Sequence, residues 1–275
     1  MSTDRRPEVL THKTPRVAAA RRLMTRAGRR EVGAFLAEGV QPVREALRAA
    51  ERVREIFATA TAAERHPELL RSAAEQGVTV SRITDRAGEL LSETVTPQGV
   101  VAVCDTVEVP LYRALPGSAR LVAVLAGTSD PGNAGTVIRT ADAAGADAVV
   151  LTGDTVDVHN GKCVRASTGS VFHITVARAA GVSEAAEACR RVGLRVIAAD
   201  GAASTDLRTL QRDGTLAEPV AWVFGNEAHG LDSAALAAAD TAARVPIYGG
   251  AESLNLASAA AVCLYASAMA APPSR

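Results

Sequence analysis

Three polar, glycine-punctuated islands stand in the C-terminal half of this 275-residue sequence. The first is Asp130-Pro131-Gly132-Asn133-Ala134-Gly135, with Arg139 one helical turn further on. The second is Phe224-Gly225-Asn226-Glu227-Ala228-His229-Gly230-Leu231, and the third runs from Val245-Pro246 to Ser253-Leu254-Asn255. Each follows an apolar, β-type run, and the first and third lead into helical patterns. Parallel α/β sheets place ligand sites outside the carboxyl ends of their strands, so three such junctions suggest one composite pocket. Several chemistries are open to these residues. Arg139 is either a solvated helix-face residue, a partner of Asp142, or a group that reaches the pocket mouth and holds a phosphate. Glu227 lies between Gly225 and Gly230, where a carboxylate caps a helix, orients a partner or takes a proton. Ser253 and Asn255 fall at a helix start, which suits N-capping and equally suits an anion or ligand site.

Common alternatives do not match. The loop Gly127-Thr128-Ser129-Asp130-Pro131-Gly132-Asn133 is not a GxGxxG turn, and the sequence contains neither GxxxxGK[ST] nor GxSxG. Cys104, Cys163, Cys189 and Cys263 are widely spaced with no CxxC pair, which predicts buried free thiols and no metal site. The sequence contains no run of eighteen apolar residues, and the first thirty carry no signal-peptide core, so the expected location is cytoplasmic.

The elements that must position the islands follow from periodicity. Residues 16–27 read as a short basic helix. Strands are expected at 32–40, 53–59, 78–83 and 99–104, with helices at 42–50 and 62–76 and a short helix that Asp85 caps. Together, residues 31–105 form a small α/β domain. The Pro- and Gly-bearing stretch 106–119 reads as a linker. Beyond it, the continuous apolar run Leu121–Ala126 is typical of a parallel strand buried on both faces. Further strands are expected at 148–151, 172–176, 194–199, 220–224 and 242–245, alternating with helices at 135–144, 183–191, 233–239 and 255–269. This alternation predicts a second α/β domain over 120–275 built on a parallel sheet.

The net charge is zero, yet its distribution is uneven: residues 1–30 hold nine basic and two acidic side chains. Such a block is either a polyanion-binding arm or a solvated basic tail.

The three islands, in this order and at these strand–loop–helix junctions, resemble the motifs of the SpoU/TrmH-type RNA 2'-O-ribose methyltransferases of the SPOUT superfamily. Asn133, Gly135 and Arg139 match the first motif. Gly225, Asn226, Glu227 and Gly230 match the second, and Pro246, Ser253, Leu254 and Asn255 the third. Val164-Arg165-Ala166-Ser167 and Gly169-Ser170 look like the signature between them. Phe35-Leu36-Ala37-Glu38-Gly39 and Thr96-Pro97-Gln98-Gly99-Val100 are similar to the family's ribosomal-protein-like, RNA-binding domain. The resemblance implies an α/β fold whose C-terminal parallel-sheet domain carries a deep trefoil knot, preceded by a smaller α/β RNA-binding domain. It implies S-adenosylmethionine as cofactor, held by Gly225, Val245, Ile247 and Leu254. It implies Arg139, Asn133, Glu227, Ser253 and Asn255 as the catalytic set, with Glu227 orienting Arg139 or Asn133. A homodimer acting on RNA, ribosomal (23S) rather than transfer RNA, completes the expectation. Base methylation and a non-catalytic RNA-binding protein with a vestigial pocket are the competing readings. If the basic segment is an RNA-binding arm, a chain lacking residues 1–30 should bind RNA more weakly. A titration in salt should then show a flatter dependence than that of the full chain.

Overall fold

The computed structural model describes residues 8–49 and 52–270, which cluster into two compact units. In chain order the elements are α1 (Pro15–Arg22), α2 (Arg26–Val32), β1 (Ala34–Glu38), α3 (Val40–Arg48), β2 (Val53–Thr59), α4 (Ala60–Arg65), α5 (Pro67–Glu75), β3 (Thr79–Ile83), α6 (Asp85–Leu90) and β4 (Val100–Asp105). They continue with β5 (Glu108–Pro110), α7 (Leu111–Ala114), β6 (Leu121–Ala126), α8 (Pro131–Ala143), β7 (Ala148–Thr152), α9 (Gly161–Ser167) and β8 (Thr175–Ala179). The last are α10 (Val182–Arg191), β9 (Arg195–Ala199), β10 (Thr205–Asp206), α11 (Leu207–Arg212), β11 (Val220–Phe224), α12 (Ser233–Ala238), β12 (Thr241–Arg244) and α13 (Leu256–Ala270).

The first unit comprises residues up to Thr106 together with Asp157–Phe172. Its four-stranded sheet has the order β1-β4-β2-β3, antiparallel except for the parallel β2–β3 pair. One core cluster joins Leu10, Val17, Ala20 and Leu23 of the N-terminal segment to Leu36, Phe57, Ile83 and Val101 of the strands. The N-terminal segment is therefore folded over its described part. Leu10 also pairs with the edge of β3, donating to Arg82 O at 2.8 Å and accepting from Thr84 N at 3.0 Å. The expected single helix over 16–27 is two helices. Thr25 ends the first and caps the second, its Oγ1 donating to Arg22 O at 2.9 Å and accepting from Gly28 N at 3.1 Å. The expected helix over 62–76 breaks at Pro67, which opens α5 at its first turn. Thr84, not Asp85, caps α6.

Arg165, in the sequence signature between the first two islands, belongs to this unit. It is spent on structure, bonding Glu38 at 3.1 Å and Glu93 at 3.2 Å. The buried Glu38 also accepts from Ser92 and Thr94, so its charge is fully compensated.

The second unit, Val107–Val156 with His173–Arg275, is built on an eight-stranded sheet of order β10-β12-β9-β11-β6-β7-β8-β5. Every neighbouring pair in it is parallel. The strands alternate their side chains between two covered faces. Ala221 and Val223 pack with Ala185, Ala186 and Cys189 of α10. Trp222 points the other way and donates Nε1–H to Ser267 Oγ of α13 at 2.9 Å within the core. Small residues dominate this core because aromatics make up only 3% of the chain. The four cysteines are free and buried, and burial pushes the Cys189 and Cys263 thiols up to about 12. They pack as small hydrophobes and are unreactive as nucleophiles.

Three local differences from the sequence expectation concern edges and short elements. The supposed linker contributes β5, which pairs with β8 at the sheet edge, and α7. The strand expected at 172–176 begins three residues later, after a 3-10 turn at Ser170–Phe172. β10 and α11 have too few residues for periodicity to show.

Arg29 is the buried hub of the first unit. Its guanidinium bonds Asp157 at 2.8 Å and closes the α1–α2 turn by donating to Leu23 O at 2.9 Å and Met24 O at 3.0 Å. Burial of Asp157 disfavours its charge, yet hydrogen bonds from His159 and Arg29 outweigh this and hold the carboxyl far below the usual range. A carboxyl depressed in the native state stabilises the fold above its unfolded value of about 4, and that contribution fades as pH falls through the native value. Asp157→Asn should cost about 3–5 kcal/mol at pH 7, because it leaves Arg29 buried without its counter-charge. In urea unfolding, the gap between wild type and variant should narrow only below about pH 4. Truncation of residues 1–30 removes Leu10, Val17, Ala20, Leu23 and Arg29 from this unit, so it cannot separate RNA affinity from folding. Substitution of exposed basic residues is the clean test.

Candidate active site

The strand order reverses direction at β6 and β11. From β6 the chain continues to β7 on one side, whereas β11 lies between β6 and β9 on the other. The carboxyl edge of the sheet beside such a reversal is the usual ligand position in these folds. The first and second islands occupy these two loops. The third follows β12, which β9 separates from β11.

One carboxylate ties the first two islands together. Glu227 Oε2 accepts from Ser129 N at 3.3 Å and Ser129 Oγ at 3.2 Å. Its Oε1 accepts from Asp130 N at 3.3 Å and Asn133 Nδ2 at 3.0 Å. The group sits at the N-terminus of α8, where unpaired amides and the helix dipole favour negative charge. Partial burial of Glu227 opposes ionisation, but the hydrogen bonds from Asn133, Ser129 and Asp130 prevail and its carboxyl lies below the ordinary value. Ionised and shared among four donors, Glu227 is a latch and is poorly suited to take a proton.

Asn133 passes the connection on. Its Oδ1 accepts from Asn255 Nδ2 at 3.1 Å. Asn255 Oδ1 in turn caps α13, accepting from Ala257 N at 2.9 Å. That cap fixes which end of the Asn255 amide faces Asn133. N-capping and site-building are thus one arrangement, and the polar chain Asn255–Asn133–Glu227 joins all three islands.

The second island is a closed turn. Asn226 and Gly230 exchange two backbone hydrogen bonds of 2.9 Å, and Asn226 Nδ2 donates to Gly127 O at 2.7 Å. A Cβ on Gly225 would lie 2.3 Å from the Gly230 carbonyl carbon, so only glycine lets this turn fold back. Beside it opens a cavity of about 960 Å³. Gly225, Val245, Ile247 and Leu254 all line it, as do Glu227, Ser253 and Asn255. Much of this wall is loop backbone, with donors and acceptors able to read a planar heterocycle and apolar side chains to cover it. A nucleoside-sized cofactor bearing a short amino-acid tail fits such a space.

Asn133 stands behind this wall and acts on it through Glu227 and Asn255. Arg139 lies elsewhere: it is exposed on α8, on the same outward face as Thr136, and is not part of the cavity lining. Asp142, one turn beyond Arg139, bonds His173 Nδ1 at 3.1 Å.

Sequence reasoning missed several residues of the cavity. Asp200 and Gly201 follow β9 and form a fourth polar junction of the same kind as the other three. Arg208 on α11 stands over the Tyr248 ring at 5.9 Å and bonds Asp206 at 2.8 Å, all three residues lining the cavity. The strand-end rule applied to Ala199-Asp200-Gly201 would have found the first pair; nothing local announces the second group. Among the described residues, no cluster of His, Cys, Asp and Glu is arranged to hold a metal ion.

The loop after β6 also carries an unmet polar group. Thr128 is fully buried and its Oγ1 has no hydrogen-bond partner among the described residues. A buried hydroxyl without a partner costs about 1–3 kcal/mol, while the isosteric methyl costs nothing there. Thr128→Val should therefore raise stability by about 1 kcal/mol. Chemical denaturation of the two proteins measures the change, and a destabilised variant would show that the hydroxyl has a partner after all.

Comparison with known proteins agrees with this geometry. Residues 120–265 match the SpoU rRNA Methylase family, and residues 36–110 match the RNA 2'-O ribose methyltransferase substrate binding family. The 23S rRNA (guanosine(2553)-2'-O)-methyltransferase RlmP of Bacillus subtilis is 36% identical over 94% of this chain and 98% of its own. An AdoMet-bound rRNA methyltransferase from Sinorhizobium meliloti superposes with a TM-score of 0.83 at 31% identity, covering 95% of this chain and 97% of that one. The SpoU methyltransferase AviRb from Streptomyces viridochromogenes in complex with AdoMet superposes at 0.78 with 30% identity, over 93% and 98% of the two chains. With both domains matched along the sequence and the three motif loops hydrogen-bonded to one another, the chain belongs to the SpoU rRNA methylase family.

Proposed function

We propose that this protein is an S-adenosylmethionine-dependent RNA methyltransferase that modifies a ribose 2'-hydroxyl in ribosomal RNA, most specifically 23S RNA. The observation that carries the proposal is the polar chain Asn255–Asn133–Glu227, which brings the three family motifs together beside a cavity of about 960 Å³. The fold at the C-terminal domain is expected to include the family's trefoil knot. No helix among the described residues is long and apolar enough to cross a membrane. The cytoplasm, where RNA is modified, is the proposed location.

The cofactor, when bound, supplies an electrophilic methyl on a sulfonium whose departure leaves a neutral thioether. The chain's own residues then have three tasks. Backbone and side chains of Gly225, Val245, Ile247 and Leu254 hold the adenosyl moiety. Glu227 and Asn255 keep Asn133 in place, and Ser253 adds a polar contact at the cavity wall. Arg139 binds the hydroxyl and an adjacent RNA phosphate. An arginine stays protonated at any accessible pH, so its contribution is to fix and polarise the hydroxyl–phosphate pair. As the oxygen–methyl bond forms and the sulfur–methyl bond breaks, the hydroxyl proton passes to solvent water.

The position of Arg139 on the outer face of α8 supports a site completed by a second copy of the chain. On α13, Val262, Tyr265 and Met269 are exposed at helical spacing and form an apolar stripe suited to such pairing. A homodimer is therefore part of the proposal, and sedimentation of the purified protein tests it.

Arg139→Ala should abolish methylation and leave S-adenosylmethionine affinity near that of wild type. Calorimetric titration reads the affinity. Alkaline digestion of the RNA product reads the reaction, because a 2'-O-methyl group blocks cleavage at its own linkage. Transfer at a near wild-type rate by the variant would remove Arg139 from the catalytic set.

A further inference from the structure

The N-terminal helical pair lies outside both family matches, which begin at residues 36 and 120. It is nevertheless built into the first unit with unusual care. Val17, Ala20 and Leu23 are buried in the core, and Arg29 is buried against Asp157 while its guanidinium satisfies the carbonyls of Leu23 and Met24. Gly28 presses so closely against the end of α1 that a Cβ there would lie 2.1 Å from Arg22 O. The turn between α1 and α2 is thus fixed by backbone contact, a cap and a buried ion pair.

This rigid hairpin turns cationic side chains outward. Between residues 8 and 33 the sequence has seven Lys and Arg against two Glu. Arg29 is buried, Arg16 pairs with Glu55, and Arg22 pairs with Glu31 at 2.6 Å. Lys13, Arg21 and Arg30 are exposed and, among the described residues, enter no ion pair. Arg26, also exposed, stands one turn before Arg30 on α2. Beside these charges the outward face of α1 offers only Pro15, Ala18 and Ala19, and Val32 is the one large aliphatic residue that α2 exposes, too little to enter a lipid surface. Arginine forks suit phosphate oxygens, and a pre-ordered scaffold spares the entropy of arranging them at binding.

We propose that the α1–α2 hairpin is a folded docking platform for the phosphate backbone of the RNA substrate, supplementing the substrate-binding domain that follows it. Lys13, Arg21 and Arg30 make its contacts, and Arg29 is a positioning residue held away from the RNA. The platform reads charge and not sequence. The inference rests on the reading of the chain as an RNA-modifying enzyme, and the two fail separately.

The test compares wild type with a K13Q/R21Q/R30Q variant in the full chain, glutamine being a good helix former. The probe is a 23S ribosomal RNA transcript, titrated over a range of salt concentrations. Each lost phosphate contact lowers the slope of log affinity against log salt by about 0.7–0.9, so a drop of about 2 is expected for the triple variant. S-adenosylmethionine affinity and melting temperature should stay unchanged. An unaltered slope and affinity would overturn the platform, as would a loss of affinity accompanied by an equal loss of folded protein. A wild-type protein that neither binds nor methylates ribosomal RNA would instead overturn the enzymatic reading.

Discussion

The carboxylate of Glu227 is the constraint on which the site depends. Three loops leave three parallel strands of one sheet, β6, β11 and β12, and nothing in the sheet's hydrogen bonding dictates how those loops lie against one another. Glu227 decides it for two of them by gathering four donors from the start of α8. Asn133 and Asn255 extend the decision to the third. Because the carboxylate sits where the helix already presents unpaired amides, its charge is stabilised without an arginine or lysine counter-ion among the described residues. The latch also explains why these positions are polar although the surrounding strands are apolar. Each side chain satisfies another loop's backbone or amide, which a hydrophobic residue could not do.

This arrangement divides labour in a way that bears on mechanism. The groups most tightly bound within one chain, Glu227, Asn133 and Asn255, are structural in the sense that they shape the cavity wall. Arg139, the proposed catalytic arginine, stands outside that wall on an exposed helix face. Under the proposed function, a cavity for the cofactor and an arginine outside it fit a reaction in which a large polyanion must reach a small, enclosed electrophile. Glu227 is spent on four hydrogen bonds, while Asp200, Asp206 and Glu252 are further carboxylates in the cavity lining. In the proposed reaction orientation and charge stabilisation carry much of the chemistry, because the leaving group departs neutral.

The first unit follows the same rule in a different place. Arg29 and Arg165 are both buried or half-buried cations, each committed to carboxylates of its own unit. Charges that read as RNA-binding in the sequence are in part internal struts, and the structure sorts them. Arg16, Arg22 and Arg29 have partners, while Lys13, Arg21 and Arg30 face water. A basic segment is thus a mixture of cohesion and recognition, and counting its charges does not separate the two.

Much of the architecture was legible because parallel strands buried on both faces leave a plain mark. Leu121–Ala126 and Val220–Phe224 are continuous apolar runs with polar, glycine-bearing exits, and both are strands ending at the site. The motif residues Gly225, Val245, Ile247 and Leu254 were legible through resemblance, and all four line the cavity. Elements of two or three residues such as β5 and β10 were not legible, since their existence depends on an edge offered by a distant strand. Neither was the hub at Arg29, whose partner Asp157 lies 128 positions away. The same holds for Arg208 with Tyr248, which meet only after α11 and the third loop are both in place. Local periodicity and motif order are properties of neighbours along the chain, so the sequence alone determined the longer strands, the junctions and the family. Which carboxylate meets which cation, and which polar group becomes a latch, depends on distances set by packing, and only the tertiary structure decided it.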